Sequence, residues 1–153
     1  LLHMLRRISF LEFIKKYRPD SEYHVYEGGS VCVPYGLIKT TGLGGCTACV
    51  IFLERSSGNL GAMTHFRPRF VDEHLREIKS LVDTYPELRN AQYVNLFWDG
   101  ESRESRYRAS GNIYKLVNGI NAIFPNSRVK DEPYPGSLDW LGLYVEKGLL
   151  VTP

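Results

Sequence analysis

The run Thr47-Ala48-Cys49-Val50-Ile51-Phe52-Leu53 constrains the fold more than any other stretch of the chain. All seven residues are apolar or β-branched, with no polar alternation between them. That pattern reads as a strand buried on both faces, which needs packed layers on either side of its sheet. The run follows a glycine-rich bend, Thr40-Thr41-Gly42-Leu43-Gly44-Gly45-Cys46, and ends near the small polar turn Ser56-Ser57-Gly58-Asn59. Leu60-Gly61-Ala62-Met63-Thr64-His65-Phe66 then reads as the next strand, stopped by Pro68. Strand, tight turn and strand are most simply an antiparallel hairpin.

The flanking segments alternate between the two regular periods. Ser9 and Glu12 form a capping-box pattern ahead of Phe10, Leu11, Phe13, Ile14 and Tyr17, so a helix is expected over about 10–18, before Pro19. Tyr23-His24-Val25-Tyr26 and Val31-Cys32-Val33 read as strands around the Gly28-Gly29 turn. Val71, Leu75, Ile78 and Val82 recur at helical spacing over 70–83. Tyr93–Trp98 reads as a strand. Ser110 can cap a second long helix whose stripe is Ile113, Leu116, Val117, Ile120, Ile123 and Phe124. Arg128–Lys130, Leu141–Val145 and Leu149–Val151 complete the strands, with a turn at Gly148. The order is an α/β mixture of the α+β kind, with much antiparallel pairing and no regular βαβ alternation. A length of 153 residues fits a single domain, 1–153.

Bulk properties exclude several function classes. Nineteen basic residues are scattered among 17 acidic ones, for a net charge of +2, so no nucleic-acid or membrane partner is indicated. Arg67, Arg69 and Arg76 form a loose basic cluster that reads as a solvated face. Three cysteines, Cys32, Cys46 and Cys49, do not make a disulfide framework. No apolar run is long enough to span a membrane. The charges in Arg6–Lys16 break up any signal-peptide core, so a cytoplasmic location is the default expectation. Leu1 is not a start methionine, and residues 1–4 carry little weight.

Chemistry concentrates at the glycine bend. Glycines are kept where backbone bends sharply or approaches a ligand closely. A cysteine at the tip of such a bend has backbone N–H groups near it that a strand ladder would not use. Those of Cys46 and of Gly45 or Gly44 could hold an oxyanion. A thiol at its usual pKa is mostly protonated at neutral pH and needs a base. His65, 19 residues later on the partner strand, can stand beside Cys46 across the hairpin. A third group should fix the imidazole tautomer. Thr40 can supply a hydroxyl or carbonyl oxygen, and its neighbour Thr41 has similar chemistry.

These residues carry a resemblance. Thr40-x-Gly42-Leu43-Gly44-Gly45-Cys46, an apolar strand, and Gly61-Ala62-Met63-x-His65-Phe66-x-Pro68 resemble the chemoreceptor glutamine deamidase (CheD) family. Its corresponding patterns are T-x-G-L-G-S-C and G-G-M-x-H-F-x-L-P. The segment is also similar to the catalytic domain of the cytotoxic necrotizing factor toxins, and distantly to N-terminal asparagine amidohydrolases. The resemblance implies a β-sandwich of mostly antiparallel sheets flanked by helices, with a CheD-like core over about 23–152. It implies Cys46 as nucleophile, His65 as base and Thr40 as third member of a protein-glutamine deamidase needing no metal or cofactor. The partner it implies is a protein substrate, a chemoreceptor or another glutamine-bearing protein. Gly45 replaces the family's serine. In Asn95–Gly100 only Phe97 and Gly100 fit the family's segment, and Tyr134–Trp140 replaces its glycine- and arginine-rich C-terminal stretch.

Blander roles compete at each position. An isolated cysteine is more often a buried structural thiol, and His65 alone could be a satisfied core histidine. Cys46-Thr47-Ala48-Cys49 is a C-x-x-C, but redox chemistry wants its first cysteine at a helix N-terminus, and here a strand follows. Alternation along that strand points the two sulfurs to opposite faces. A zinc site from Cys46, Cys49 and His65 lacks a fourth ligand. His3, His24 and His74 have no matching partners and read as surface or tag residues. Trp98 and Trp140 read as core or rim aromatics, and Asp99 and Glu101 carry no assignment. The rival functions are transglutamination or asparagine deamidation on the same triad, and a binding module that keeps the fold without turnover.

Overall fold

A computed structural model describes residues 5–99, 111–134 and 139–153. Ser110, Gly100, Glu101, His3 and the middle of the Tyr134–Trp140 stretch lie outside them. The strands are β1 (Arg6–Ser9), β2 (Glu22–His24), β3 (Gly29–Val33), β4 (Leu37–Thr41), β5 (Thr47–Leu53), β6 (Leu60–His65), β7 (Tyr93–Asp99), β8 (Val129–Tyr134), β9 (Trp140–Tyr144) and β10 (Leu149–Thr152). The helices are α1 (Phe10–Lys16), α2 (Val71–Thr84) and α3 (Asn112–Ile123).

The strands form two five-stranded sheets. The first runs β1-β10-β9-β4-β2 and the second β3-β6-β5-β7-β8. The expected hairpin is present, with Val50 opposite Met63 and Leu53 opposite Leu60. The inner pairings are antiparallel, whereas β1 on β10, β2 on β4 and β8 on β7 are parallel edge additions. Two strands were not evident from the pattern. β1 is short and half of it is charged, and β4 follows Pro34 and Gly36 so closely that it merges with the glycine bend. Both are held by partners far away in the chain.

Side-chain alternation along β5 explains the layering. Ala48, Val50 and Phe52 face Ile38, Leu43, Leu141, Leu143 and Leu150 of the first sheet's side. Cys49, Ile51 and Leu53 face the other way, onto Val71, Ile78 and Val82 of α2 and Ile113, Leu116 and Ile120 of α3. Every residue of β5 is buried, as its composition requires. On the outer side of the first sheet, Phe13 of α1 packs with Leu37, Tyr144 and Val151. The result is a two-sheet sandwich flanked by helices. Ser9 caps α1, its Oγ accepting the Glu12 N–H at 3.2 Å. Of the apolar face expected for α1, only Phe13 is buried, while Phe10, Leu11 and Ile14 are exposed. Trp98 is fully buried among the helix-facing residues. No helix among the described residues is long and apolar enough to cross a membrane.

Gly61 lets the two sheets approach beside the site. A Cβ there would lie 2.8 Å from Leu143 Cδ2 and 2.8 Å from Val145 Cγ2. Overpacking a filled core of this kind typically costs about 1–3 kcal/mol. Gly61→Val is expected to lower the urea midpoint accordingly. An unchanged midpoint would show that the sheets are not in close contact there.

Candidate functional site

The site begins with the turn that ends the glycine bend. The Cys46 N–H donates to Leu43 O at 2.9 Å, closing a four-residue turn with Gly44 and Gly45 at its centre. Gly45 has φ of 84°, the left-handed backbone that a type II turn requires at its third position. This corrects one expectation: the Cys46 N–H is engaged by its own turn and does not stand open as an oxyanion donor. Gly44 is exposed, and a Cβ built on it would meet nothing within 4 Å, so the space beside the turn is open.

The hairpin then sets Cys46 and His65 on one face. Thr47 and Phe66 exchange backbone hydrogen bonds of 2.8 and 2.9 Å, which extends the register to Thr47 opposite Phe66. Cys46 and His65 each precede one member of that pair and are diagonal neighbours across it. Both face the first sheet. Cys46 packs among the residues between the sheets, and His65 reaches Thr40 on β4. Cys46 is 8% exposed.

Thr40 fixes the imidazole. Its Oγ1 is 2.7 Å from His65 Nδ1 and 2.7 Å from Val25 O. A backbone carbonyl only accepts, so the hydroxyl proton goes to Val25. Thr40 Oγ1 must then accept from His65, which places the ring proton on Nδ1 and leaves the lone pair on Nε2. His65 Nε2 is buried with no hydrogen-bond partner among the described residues. Burial holds the His65 pKa below its usual value, with His24 adding in the same direction and the Glu27 carboxylate opposing both. The ring is therefore neutral at neutral pH. Of the two neighbouring threonines, Thr40 is fully buried and meets the ring, whereas Thr41 is exposed.

A strap over the site went unnoticed in the sequence. Val25–Gly28 crosses from the first sheet to the second. Val25 O accepts from Thr40, and the Gly28 N–H donates to His65 O at 2.6 Å. Between them, Glu27 Oε1 accepts the Cys46 thiol at 3.7 Å and also accepts from Arg67 Nε. The Arg67 guanidinium holds the Glu27 carboxyl below the usual carboxylate range. Arg67 is exposed, as expected for a solvated face, and it is also the ion-pair partner of Glu27. No local pattern marks Glu27, which reaches the site only because its loop bridges two sheets.

His74 is a second correction. It is buried on α2, not at the surface. Thr64 Oγ1 is 2.6 Å from its Nε2, and Thr47 Oγ1 is 3.3 Å from its Nδ1. The Thr47 hydroxyl donates to Phe66 O and therefore accepts from Nδ1–H. Thr64 accepts the Cys49 N–H and gives its proton to Nε2. The neutral ring is fully satisfied, and it stacks on Phe66 at 4.6 Å. It pegs Thr47 and Thr64, the neighbours of Cys46 and His65. Its position was legible, because 74 falls on the stripe of Val71, Ile78 and Leu81. His24, by contrast, is half-buried against Tyr26, with ring centroids 4.4 Å apart.

The remaining cysteines stand apart. Cys49 is fully buried on the opposite face of β5, its pKa pushed up to about 12 by burial. Cys46 and Cys49 therefore cannot act as a dithiol, and Cys49 cannot join Cys46 and His65 around a metal. None of the three cysteines is in a disulfide. A groove of about 540 Å³ lies elsewhere, on the outer face of the first sheet between α1, Lys39 and Trp140, and holds none of the site residues. The chain matches no known family model and no curated protein.

The His74 environment fixes a sign for pH dependence. Burial pushes its pKa down to about 3 from an ordinary 6.5. Between those values the unfolded chain binds the extra proton, so stability rises with pH. This contribution is fully present above 6.5 and falls by about 1.4 kcal/mol per unit below it. Urea midpoints between about pH 7 and 5, above the carboxylate range, should fall in the wild type and fall less in His74→Gln. Equal slopes would mean that His74 is not buried neutral.

Proposed function

We propose that the chain is a CheD-like cysteine amidohydrolase that deamidates glutamine side chains of a protein substrate. Cys46 is its nucleophile, His65 its base and Thr40 its third member. The observation that carries the proposal is the forced tautomer. Thr40 accepts a hydrogen bond from Nδ1–H and leaves His65 with a desolvated, unpartnered Nε2 lone pair on the face that Cys46 shares. A structural core histidine would have both nitrogens satisfied, as His74 has.

The cycle has two halves. His65 Nε2 takes the thiol proton, and the Cys46 sulfur adds to the glutamine Cδ, forming a C–S bond. The oxyanion is received by backbone N–H groups of the turn, assigned to Gly44 with Gly45 beside it. The imidazolium returns its proton to nitrogen as the C–N bond breaks, and ammonia leaves a thioester. Water, deprotonated by the same imidazole, forms the new C–O bond and the C–S bond breaks, giving glutamate and the thiol. No step calls on a metal or cofactor.

Cys46→Ala should abolish ammonia release from glutamine-containing peptides while leaving the unfolding midpoint close to wild type. His65→Ala should lower kcat/KM by about 10²–10⁴-fold. The double variant should be hardly worse than either single one, because the pair acts as a unit. Thr40→Val should cost less and act mainly on kcat. Mass spectrometry separates the rivals, since deamidation adds about one mass unit and transglutamination adds the whole amine. Undiminished ammonia release from Cys46→Ala would overturn the proposal.

A further inference from the structure

Resting on the nucleophile assigned above, we infer that Glu27 is the specificity residue of the site. It accepts from the NH₂ of a carboxamide bound at Cys46 and turns away the corresponding carboxylate.

The geometry is compact. Glu27 Oε1 lies 3.7 Å from Cys46 Sγ, so the carboxylate borders the volume that any group bonded to that sulfur must enter. The same oxygen is held by Arg67 Nε, so its direction is fixed by an exposed guanidinium. The backbone on either side of Glu27 is anchored as well: Val25 O accepts from Thr40, and the Gly28 N–H donates to His65 O at 2.6 Å. The strap therefore ties the carboxylate to both other members of the proposed triad.

A carboxylate only accepts hydrogen bonds. In the resting site it accepts a hydrogen bond from the thiol proton, which stays on sulfur. Once that proton has moved to His65, the same lone pairs face whatever the sulfur has attacked. A carboxamide offers two N–H donors there, whereas a carboxylate offers only negative charge at close range. Substrate and product of the proposed reaction differ in this one group. Glu27 thus favours binding of the amide and release of the acid, and Arg67 moderates the repulsion.

Two alkylating reagents reproduce that difference and require no substrate. Iodoacetamide carries a carboxamide and iodoacetate a carboxylate, and both react with the same thiolate, so their rate ratio at Cys46 is independent of how much thiolate is present. The rates are read by mass spectrometry of the Cys46 peptide at fixed pH and low salt. Glu27→Gln should shift the iodoacetamide-to-iodoacetate ratio toward iodoacetate by about threefold or more, as removal of one nearby unit charge demands. Arg67→Gln should shift it the other way. A role for Glu27 in holding the strap alone would change both rates together and leave the ratio fixed. An unchanged ratio in Glu27→Gln, in a chain that does release ammonia, would overturn the role of Glu27 and leave the nucleophile standing. A Cys46 inert to both reagents would overturn both.

Discussion

The hydrogen bond between Thr40 and His65 is the interaction on which the rest of the site depends. It joins β4 of one sheet to β6 of the other, between fully buried partners. In such surroundings a lost partner leaves an unsatisfied polar group, at a cost of about 1–3 kcal/mol. The bond therefore holds the two sheets in one relative position and the imidazole in one orientation. Its direction is not optional. Val25 O takes the only hydroxyl proton, so the ring must give Nδ1–H and keep Nε2 bare. One backbone carbonyl thus decides which nitrogen keeps its lone pair.

The other parts of the site hold Cys46 on the face of the hairpin that His65 shares. The turn closed by Gly45 lifts Cys46 at the head of β5 without a chain break. The Thr47 and Phe66 pairing fixes the register that puts Cys46 and His65 on one face. Behind them, His74 ties the hydroxyls of Thr47 and Thr64 together from α2. In front, the strap carries Glu27 across the seam. Two histidines, each held by threonine hydroxyls, thus lie on opposite faces of the hairpin. They differ in one respect: the second nitrogen of His74 is satisfied, and that of His65 is not.

Local pattern carried much of this. The seven-residue run gave a strand buried on both faces, the polar turn gave the hairpin, and the spacing of Val71, Ile78 and Ile113, Leu116, Ile120 gave the two helices that cover it. The opposite facing of Cys46 and Cys49 followed from alternation alone. What local pattern could not carry depends on distant partners. β4 and β1 are short and carry weak β patterns of their own, and they exist because β9 and β10 pair with them. Glu27 sits in an ordinary loop and acquires a role only where that loop bridges the sheets. His74 could have been found, since it occupies a core position of an amphipathic stripe where a polar residue demands partners. Residue order does not reveal that the Cys46 N–H is occupied, because a turn sharp enough to present the sulfur closes on that same N–H.

The central claim is the protonation pattern of one ring, and nitrogen NMR of the His65 imidazole measures it directly. At neutral pH the account predicts a neutral ring with its proton on Nδ1 and an unprotonated Nε2. The Thr40→Val variant should lose that single-tautomer signature. A His65 ring protonated on Nε2, or on both nitrogens, would contradict the account, because no imidazole lone pair would then be left to act as a base.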